Sequence, residues 1–210
     1  MQPRYSAVNQ ILHWATALCM FAVLPLAWVM TNAKAGSALQ HSTYNWHKTL
    51  GLVVLGLTVI RLGWRRFDGP PPYPPRVAAW DRRAAHLAYW LFFAVMLWMP
   101  ITGFIDSAYD GFPIKLFNLI QTPEIFPKNQ PRADLFARLH ALGQWPVYAL
   151  IVLHVSAVAF HLVWGKDGVL GRMLPAHAAE PSASRSAERG DTNSPSTRIA
   201  PQRERPISRR

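Results

Sequence analysis

Four long apolar blocks constrain the fold of this chain more than any other feature of its sequence. Each is near or above the length of about 20 residues that crosses a bilayer as an α-helix. The first block lacks a convincing small-residue cleavage site, so it is interpreted as a span and not as a secretory signal. The sequence therefore predicts an all-α membrane protein, a bundle of four transmembrane helices. The blocks occupy residues 7–30, 44–64, 85–104 and 136–164.

The location of the basic residues gives a reason for the formal net charge of +11 that involves no nucleic-acid partner. They are concentrated at and between the ends of the second and third blocks, whereas the other two connections mix basic with acidic residues. By the positive-inside rule, both termini and the connection between the second and third blocks are predicted to be cytoplasmic. The arginines at this connection are Arg61, Arg65, Arg66, Arg76, Arg82 and Arg83.

Two segments outside the blocks carry separate predictions. Residues 1–175 contain all four blocks, whereas residues 176–210 are rich in Ala, Ser, Pro and Arg and contain almost no large apolar side chains. Such a composition cannot bury a core, so this segment is predicted to be a disordered, basic, cytoplasmic tail. On the outer side, the run FPIKLFNLI is too short to cross the membrane and is expected to form a small surface helix.

Four histidines in the apolar blocks are predicted to form two pairs. His140 and His154 are fourteen residues apart, which places them within roughly 40° of each other around a helix and about 21 Å apart along it. The predicted topology brings His47 to the outer depth of His140, and His13 to the inner depth of His154. Ionisable residues within a membrane are costly and usually functional, so two matched pairs indicate a binding role.

Pairs of facing imidazoles suit the axial positions of a haem iron better than other metal sites. Zinc prefers four nitrogen or sulfur ligands, and copper tends to recruit cysteine or methionine. A haem also needs clearance beside each ligand, and small residues lie one turn from the histidines, among them Gly51 after His47 and Gly143 after His140. The sequence therefore predicts two haem groups, one toward each side of the membrane.

Several stretches of the sequence resemble the bacterial cytochrome b561 family. They are RYSAVNQILHW, NWHKTLGL, MPITG, the spacing of His140 and His154, and HLVWGKDGVLGRMLP, and together they extend over roughly residues 3–175. The resemblance implies an inner-membrane protein that binds two haem b groups and passes electrons between membrane quinone and a partner. It also implies superoxide as the external donor in some members. The axial ligands implied by motif position are His13, His47, His140 and His154.

Two further sites are predicted around the haems. A haem with two axial histidines has no open position, so it is expected to carry electrons rather than to bind oxygen or substrate. Arg61 at the inner side, and Arg132 or Arg138 at the outer side, are candidate partners of haem propionates. His161, two turns beyond His154, is a candidate contact for a quinone or a proton, with a plain interfacial histidine as the alternative.

Other functions remain as alternatives. A cytochrome b subunit that anchors a hydrogenase or another dehydrogenase would have the same haem ligands and would depend on a periplasmic or cytoplasmic redox partner. A histidine-lined metal transporter would be expected to carry acidic or cysteine ligands in mid-membrane, which the four blocks do not show. A purely structural membrane protein would leave the matched depths of the histidines unexplained.

Overall fold

The computed structural model describes residues 4–73 and 77–175. Most of this part of the chain is helical, which confirms the predicted all-helical architecture. The predicted tail, residues 176–210, and positions 74–76 of the proline-rich connection lie outside the described residues. The helices are α1 (Ala7–Asn32), α2 (Ala38–Trp64), α3 (Ala79–Asp110) and α4 (Gln130–Phe160), followed by a π-helical turn (His161–Gly165) and a 3-10 turn (Leu170–Arg172).

Three of the four helices are long and apolar enough to cross a membrane. They are α1, α3 and α4 together with the π-helical turn that extends it. Helix α2 has 27 residues, which is also a sufficient length. Its first half contains His41, Asn45, His47 and Lys48, however, and these polar side chains lower its apolar character.

The helices pack as neighbours in chain order, α1 on α2, α2 on α3 and α3 on α4. The shared core is narrow and includes Val54, Phe93 and Val147. Large apolar side chains cover much of the outside of the bundle, and Leu18, for example, is 72% exposed. A surface of this kind would promote aggregation in water, but it is the expected lipid-facing surface of a membrane bundle.

Side-chain caps fix where three of the helices begin. The hydroxyls of Ser6 and Ser37 accept hydrogen bonds from backbone amides in the first turns of α1 and α2. Asn129 has the same role at the start of α4. Helix α3 ends at Asp110, and the capping residue Gly111 that follows has a φ of 78°, in the left-handed region that favours glycine.

The connection between α3 and α4 forms a β-hairpin, so the prediction of a surface helix at FPIKLFNLI was wrong. Strand β1 (Lys115–Leu116) pairs with β2 (Ile120–Gln121) in antiparallel register. Asn118 at the tip has a φ of 59°, which asparagine tolerates and a helix does not allow. The hairpin is fastened to α2, because Asn45 donates a hydrogen bond to Asn118 at 2.7 Å.

At the opposite end of the bundle, one carboxylate ties α1 to the segment that follows α2. Asp68 accepts hydrogen bonds from the Ser6 hydroxyl, from the Asn9 amide at 2.7 Å and from the Trp64 indole at 3.2 Å. These bonds, that from Ser6 above all, hold the pKa of the Asp68 carboxyl below its usual value.

Arg172 joins three parts of the chain at the same end of the bundle. Its guanidinium donates hydrogen bonds to the carbonyls of Pro71 and Pro72 at 3.0 and 2.8 Å, and its own carbonyl accepts one from the Tyr5 amide at 3.1 Å. The start of α1, the proline-rich connection and the segment after α4 therefore meet on one face of the molecule.

Candidate functional site

The structure brings four histidines together in two pairs. His47 of α2 faces His140 of α4, with ring centroids 6.1 Å apart and ring planes at 88°. His13 of α1 faces His154 of α4, with centroids 6.2 Å apart and planes at 60°. Since both partners on α4 lie on one face of that helix, the bundle holds two similar sites at different depths.

Backbone carbonyls orient both rings of the His47–His140 pair. The Nδ1 atom of His47 lies 3.1 Å from the carbonyl oxygen of Val23, and that of His140 lies 2.8 Å from the carbonyl oxygen of Met99. A carbonyl can only accept, so Nδ1 carries the hydrogen in each ring and Nε2 keeps its lone pair. This is the arrangement usually found behind a histidine that binds a metal through Nε2.

The spacing of the rings fits one metal ion between each pair. Imidazole–metal bonds of about 2.0–2.1 Å on opposite sides of an ion place the two donor nitrogens roughly 4 Å apart, with the ring centroids further out. The observed centroid separations of 6.1 and 6.2 Å agree with this. In residues 4–73 and 77–175, no cluster of three or more His, Cys, Asp or Glu side chains could hold a metal ion. Two opposed imidazoles at each site match the donor set of a haem iron that has two axial histidines.

Glycines around the His47–His140 pair have two different roles. A Cβ at Gly103 would stand 3.0 Å from Cε1 of His140, and one at Gly143 would collide with the Met99 sulfur. Both glycines therefore let α3 and α4 approach closely, so Gly143 serves helix packing and not the haem clearance expected from the sequence. Gly51, one turn after His47, is half-buried and has no atom within 4 Å of a Cβ position, which fits a flat helix surface beside a planar ligand.

Aromatic side chains flank the His13–His154 pair. The Trp14 ring lies 5.3 Å from that of His13, and the Phe92 ring lies 5.5 Å from that of His154, both edge to face. The side chain of His154 is exposed and that of His13 is partly exposed. Both rings are therefore accessible to a ligand that enters between α1 and α4.

The three candidate arginines occupy different surroundings. Arg61 lies within electrostatic range of His13 and His154, and its guanidinium carbon is 5.7 Å from the centre of the Phe93 ring. Arg132 instead donates a hydrogen bond to the hydroxyl of Tyr109 at 3.0 Å. Arg138 is exposed on α4. Of the three, Arg61 is therefore the arginine within electrostatic range of a histidine pair.

His161 has a partner that the sequence reasoning missed. Its Nδ1 atom lies 2.6 Å from Oδ2 of Asp167, whose side chain is 7% exposed. Asp167 belongs to the quoted stretch HLVWGKDG, but its contact with His161 depends on how the chain turns after α4. The only signal in the sequence was an acidic residue six positions after His161.

Comparisons with known proteins agree with this architecture. Residues 4–176 match the family model of prokaryotic cytochrome b561. The chain is 31% identical over 175 residues to cytochrome b561 homolog 2 of Escherichia coli strain K12, covering 81% of this chain and 91% of that protein. It is 25% identical over 177 residues to a probable superoxide oxidase CybB of Yersinia pestis, covering 83% and 98%. The chain belongs to the prokaryotic cytochrome b561 family, whose members bind haem b and transfer electrons in membranes.

Proposed function

We propose that this protein is a di-haem cytochrome that carries electrons across the bacterial inner membrane between a reactant on the outer side and membrane quinone. The observation that carries the proposal is the pair of facing histidine sites. Each has two imidazoles from different helices at a separation suited to one metal ion. Two such sites along α4 would let an electron cross the membrane in shorter transfers.

The four histidines hold one haem b at each site. His47 and His140 bind the outer haem, and His13 and His154 bind the inner one. When bound, the haem iron supplies a centre that gains and loses one electron. The carbonyls of Val23 and Met99, which hold the Nδ1 atoms of His47 and His140, would leave both Nε2 atoms free to bind the iron.

Arg61 and Gly51 have proposed roles beside the two haems. Arg61 offers a cation to a propionate of the inner haem, because it is half-buried beside His13 and His154. Gly51 leaves room for the outer haem beside His47.

The helix arrangement and the arginine bias support the proposed membrane orientation. Helix α2 packs between α1 and α3, both of spanning character, so it crosses the membrane with them as the fourth span. The start of α1, the proline-rich connection and the end of the described chain meet at one face, and the arginine-rich sequence assigns this face to the cytoplasm. The His47–His140 pair then lies toward the outer side of the membrane.

Superoxide is the proposed outer reactant and quinone the proposed inner one. Support for superoxide comes from the similarity to a protein named as a probable superoxide oxidase. An oxidation of superoxide releases one electron, which suits a centre that accepts electrons singly. His161, beyond the inner pair on the cytoplasmic side, is the proposed contact for quinone.

A spectrum and a turnover assay test this function. The purified protein should contain two haem b per chain and show sharp reduced b-type bands. In liposomes with ubiquinone, it should reduce the quinone when superoxide is generated outside. Absence of the reduced bands would overturn the haem proposal. Haem-loaded protein that reacts only after a dehydrogenase partner is added would instead be an anchor subunit.

A further inference from the structure

A histidine–carboxylate pair lies at the inner end of α4, apart from the four paired histidines. His161 begins the π-helical turn that extends α4, and its Nδ1 atom is 2.6 Å from Oδ2 of Asp167. The side chains are 20% and 7% exposed, respectively. The carboxylate is thus withdrawn from water, whereas part of the imidazole remains accessible.

The backbone after α4 is shaped to form this pair. A π-helical turn replaces the last α-helical turn, and such turns are often found at functional sites. Lys166 follows with a φ of 45°, a left-handed conformation that reverses the chain and returns Asp167 to His161. The strained residue is a lysine, where asparagine or glycine would be easier, so the surrounding contacts must hold this turn.

Gly165 allows the two side chains to meet. A Cβ at this position would lie 3.2 Å from Oδ2 of Asp167 and 3.3 Å from Nδ1 of His161. The second carboxylate oxygen of Asp167 accepts a hydrogen bond from the Val169 amide at 3.2 Å, which fixes the plane of the carboxylate. The acceptor is therefore rigid, and the His161 ring has one preferred orientation against it.

We infer that Asp167 is a positioning residue that directs Nε2 of His161 to the quinone for proton exchange. An ionised carboxylate accepts hydrogen bonds only, so it retains the Nδ1 hydrogen and leaves Nε2 as the exchanging nitrogen. A carboxylate behind a catalytic histidine acts in this way in other enzymes. This inference rests on the proposed function, since it assigns the proton chemistry of the quinone reaction.

The proposed exchange balances with the electron transfer. Conversion of a quinone to a quinol consumes two electrons, delivered singly by the proposed route, and two protons. For each proton, the Nε2–H bond of a protonated His161 breaks and an O–H bond forms at a quinone oxygen. The ring is left neutral, with its Nδ1 hydrogen still donated to Asp167. Water on the cytoplasmic side then restores the proton at Nε2.

The test compares two acceptors, because only quinone needs protons. A one-electron dye that accepts no proton serves as the second acceptor. Asp167→Asn should leave the haem spectrum and dye reduction unchanged and lower quinone turnover by about 10-fold or more. His161→Ala should lower quinone turnover by about 100-fold. Asp167→Glu should recover part of the loss, and Asp81→Asn, a change of an acidic residue in the first turn of α3, is the matched control.

Wild-type protein gives an independent measurement if a variant fails to assemble. In heavy water, quinone reduction should slow by about 2-fold or more while dye reduction is unchanged, as expected for a rate-limiting proton transfer. Equal losses with both acceptors in Asp167→Asn, or an unchanged quinone rate, would overturn the inference and leave the proposed function intact. Haem-loaded wild type that reduces the dye but never exchanges electrons with quinone would overturn the quinone part of the function itself.

Discussion

Gly103 of α3 lies directly against the imidazole of His140 on α4. A Cβ at Gly103 would stand 3.0 Å from Cε1 and 3.1 Å from Nδ1 of that ring. Met99, one turn earlier on α3, provides the carbonyl that accepts from the same Nδ1 at 2.8 Å. A single turn of α3 therefore sets both the hydrogen bond and the position of the His140 ring.

The first prediction concerns this contact. Gly103→Val should force the His140 ring from its position, at a cost of about 1–3 kcal/mol for overpacking. One haem component should then be lost or become high-spin, while the other remains low-spin in optical and electron paramagnetic resonance spectra. Gly56→Val is the control, because Gly56 is exposed on α2 and has no atom within 4 Å of a Cβ. An unaltered spectrum of Gly103→Val would show that this contact does not govern ligation.

The second prediction concerns the assignment of ligands to haems. Substitution of His47 or His140 by alanine should disturb one and the same spectral component, and substitution of His13 or His154 the other. The two rings of each pair are about 6 Å apart and are proposed to share one metal, so each double substitution within a pair should be no worse than its more damaging single one. His13→Ala combined with His47→Ala should disturb both haems. Different components affected by His47→Ala and His140→Ala would refute the pairing.

The third prediction concerns membrane orientation. Reporter enzymes fused after Asp68 and after Pro175 should both report the cytoplasm, because the hydrogen bonds of Arg172 join the segments that contain these positions at one face. A fusion after Gly36, in the connection between α1 and α2, should report the outer side and serves as the control. A periplasmic signal from either of the first two would exchange the sides of the two haems.

The fourth prediction concerns pH and follows from Asp68. Its pKa is lowered from 3.8 in the folded protein, chiefly by the hydrogen bond from Ser6. These hydrogen bonds therefore stabilise the fold at neutral pH, and their contribution is lost as the pH falls through the folded-state pKa. In that acidic range, the Asn9 and Gln10 amides at the start of α1 should exchange hydrogen faster relative to the intrinsic exchange rate at the same pH.

Asp68→Asn should raise the hydrogen-exchange rate of those two amides already at neutral pH. It should also remove the further acceleration at acidic pH. Amides in the middle of α4 are the internal control, because they lie far from Asp68 along the bundle. Persistence of the full acid-induced step in Asp68→Asn would assign it to another group.

The fifth prediction concerns the segment after the membrane domain. Removal of residues 178–210 should leave haem content and electron transfer unchanged, because the segment has almost no large apolar side chains. Haem analysis of the truncated protein and the superoxide-driven quinone assay measure both. Loss of haem on truncation would show that the tail contributes to the fold.

The lengths of the helices illustrate how closely composition predicts structure. The apolar block at 85–104 lies within α3, which extends from Ala79 to Asp110. The helix continues past the apolar residues because polar side chains are tolerated at the membrane interface, and capping residues such as Gly111 decide where it ends. The sequence therefore predicts which segments are helical better than it predicts their ends.

The hairpin between α3 and α4 could not be predicted from the sequence. FPIKLFNLI has an apolar pattern that suits a short surface helix as well as a strand. Contacts with α2 decide between them, since Asn45 binds the hairpin tip and the Thr49 hydroxyl donates to the carbonyl of Lys115 at 3.2 Å. Such contacts exist only after the helices have packed.

By itself, the sequence determined the four long helical segments and which histidines face each other, because helix rise is the same for every residue and needs no knowledge of neighbours. Only the tertiary structure decided which groups surround the histidines. The carbonyls of Val23 and Met99 carry no side-chain signature, the closeness of Gly103 to His140 depends on how α3 and α4 pack, and Asp167 reaches His161 through a left-handed turn at Lys166. These are distances between separate elements, and they depend on all the packed side chains at once.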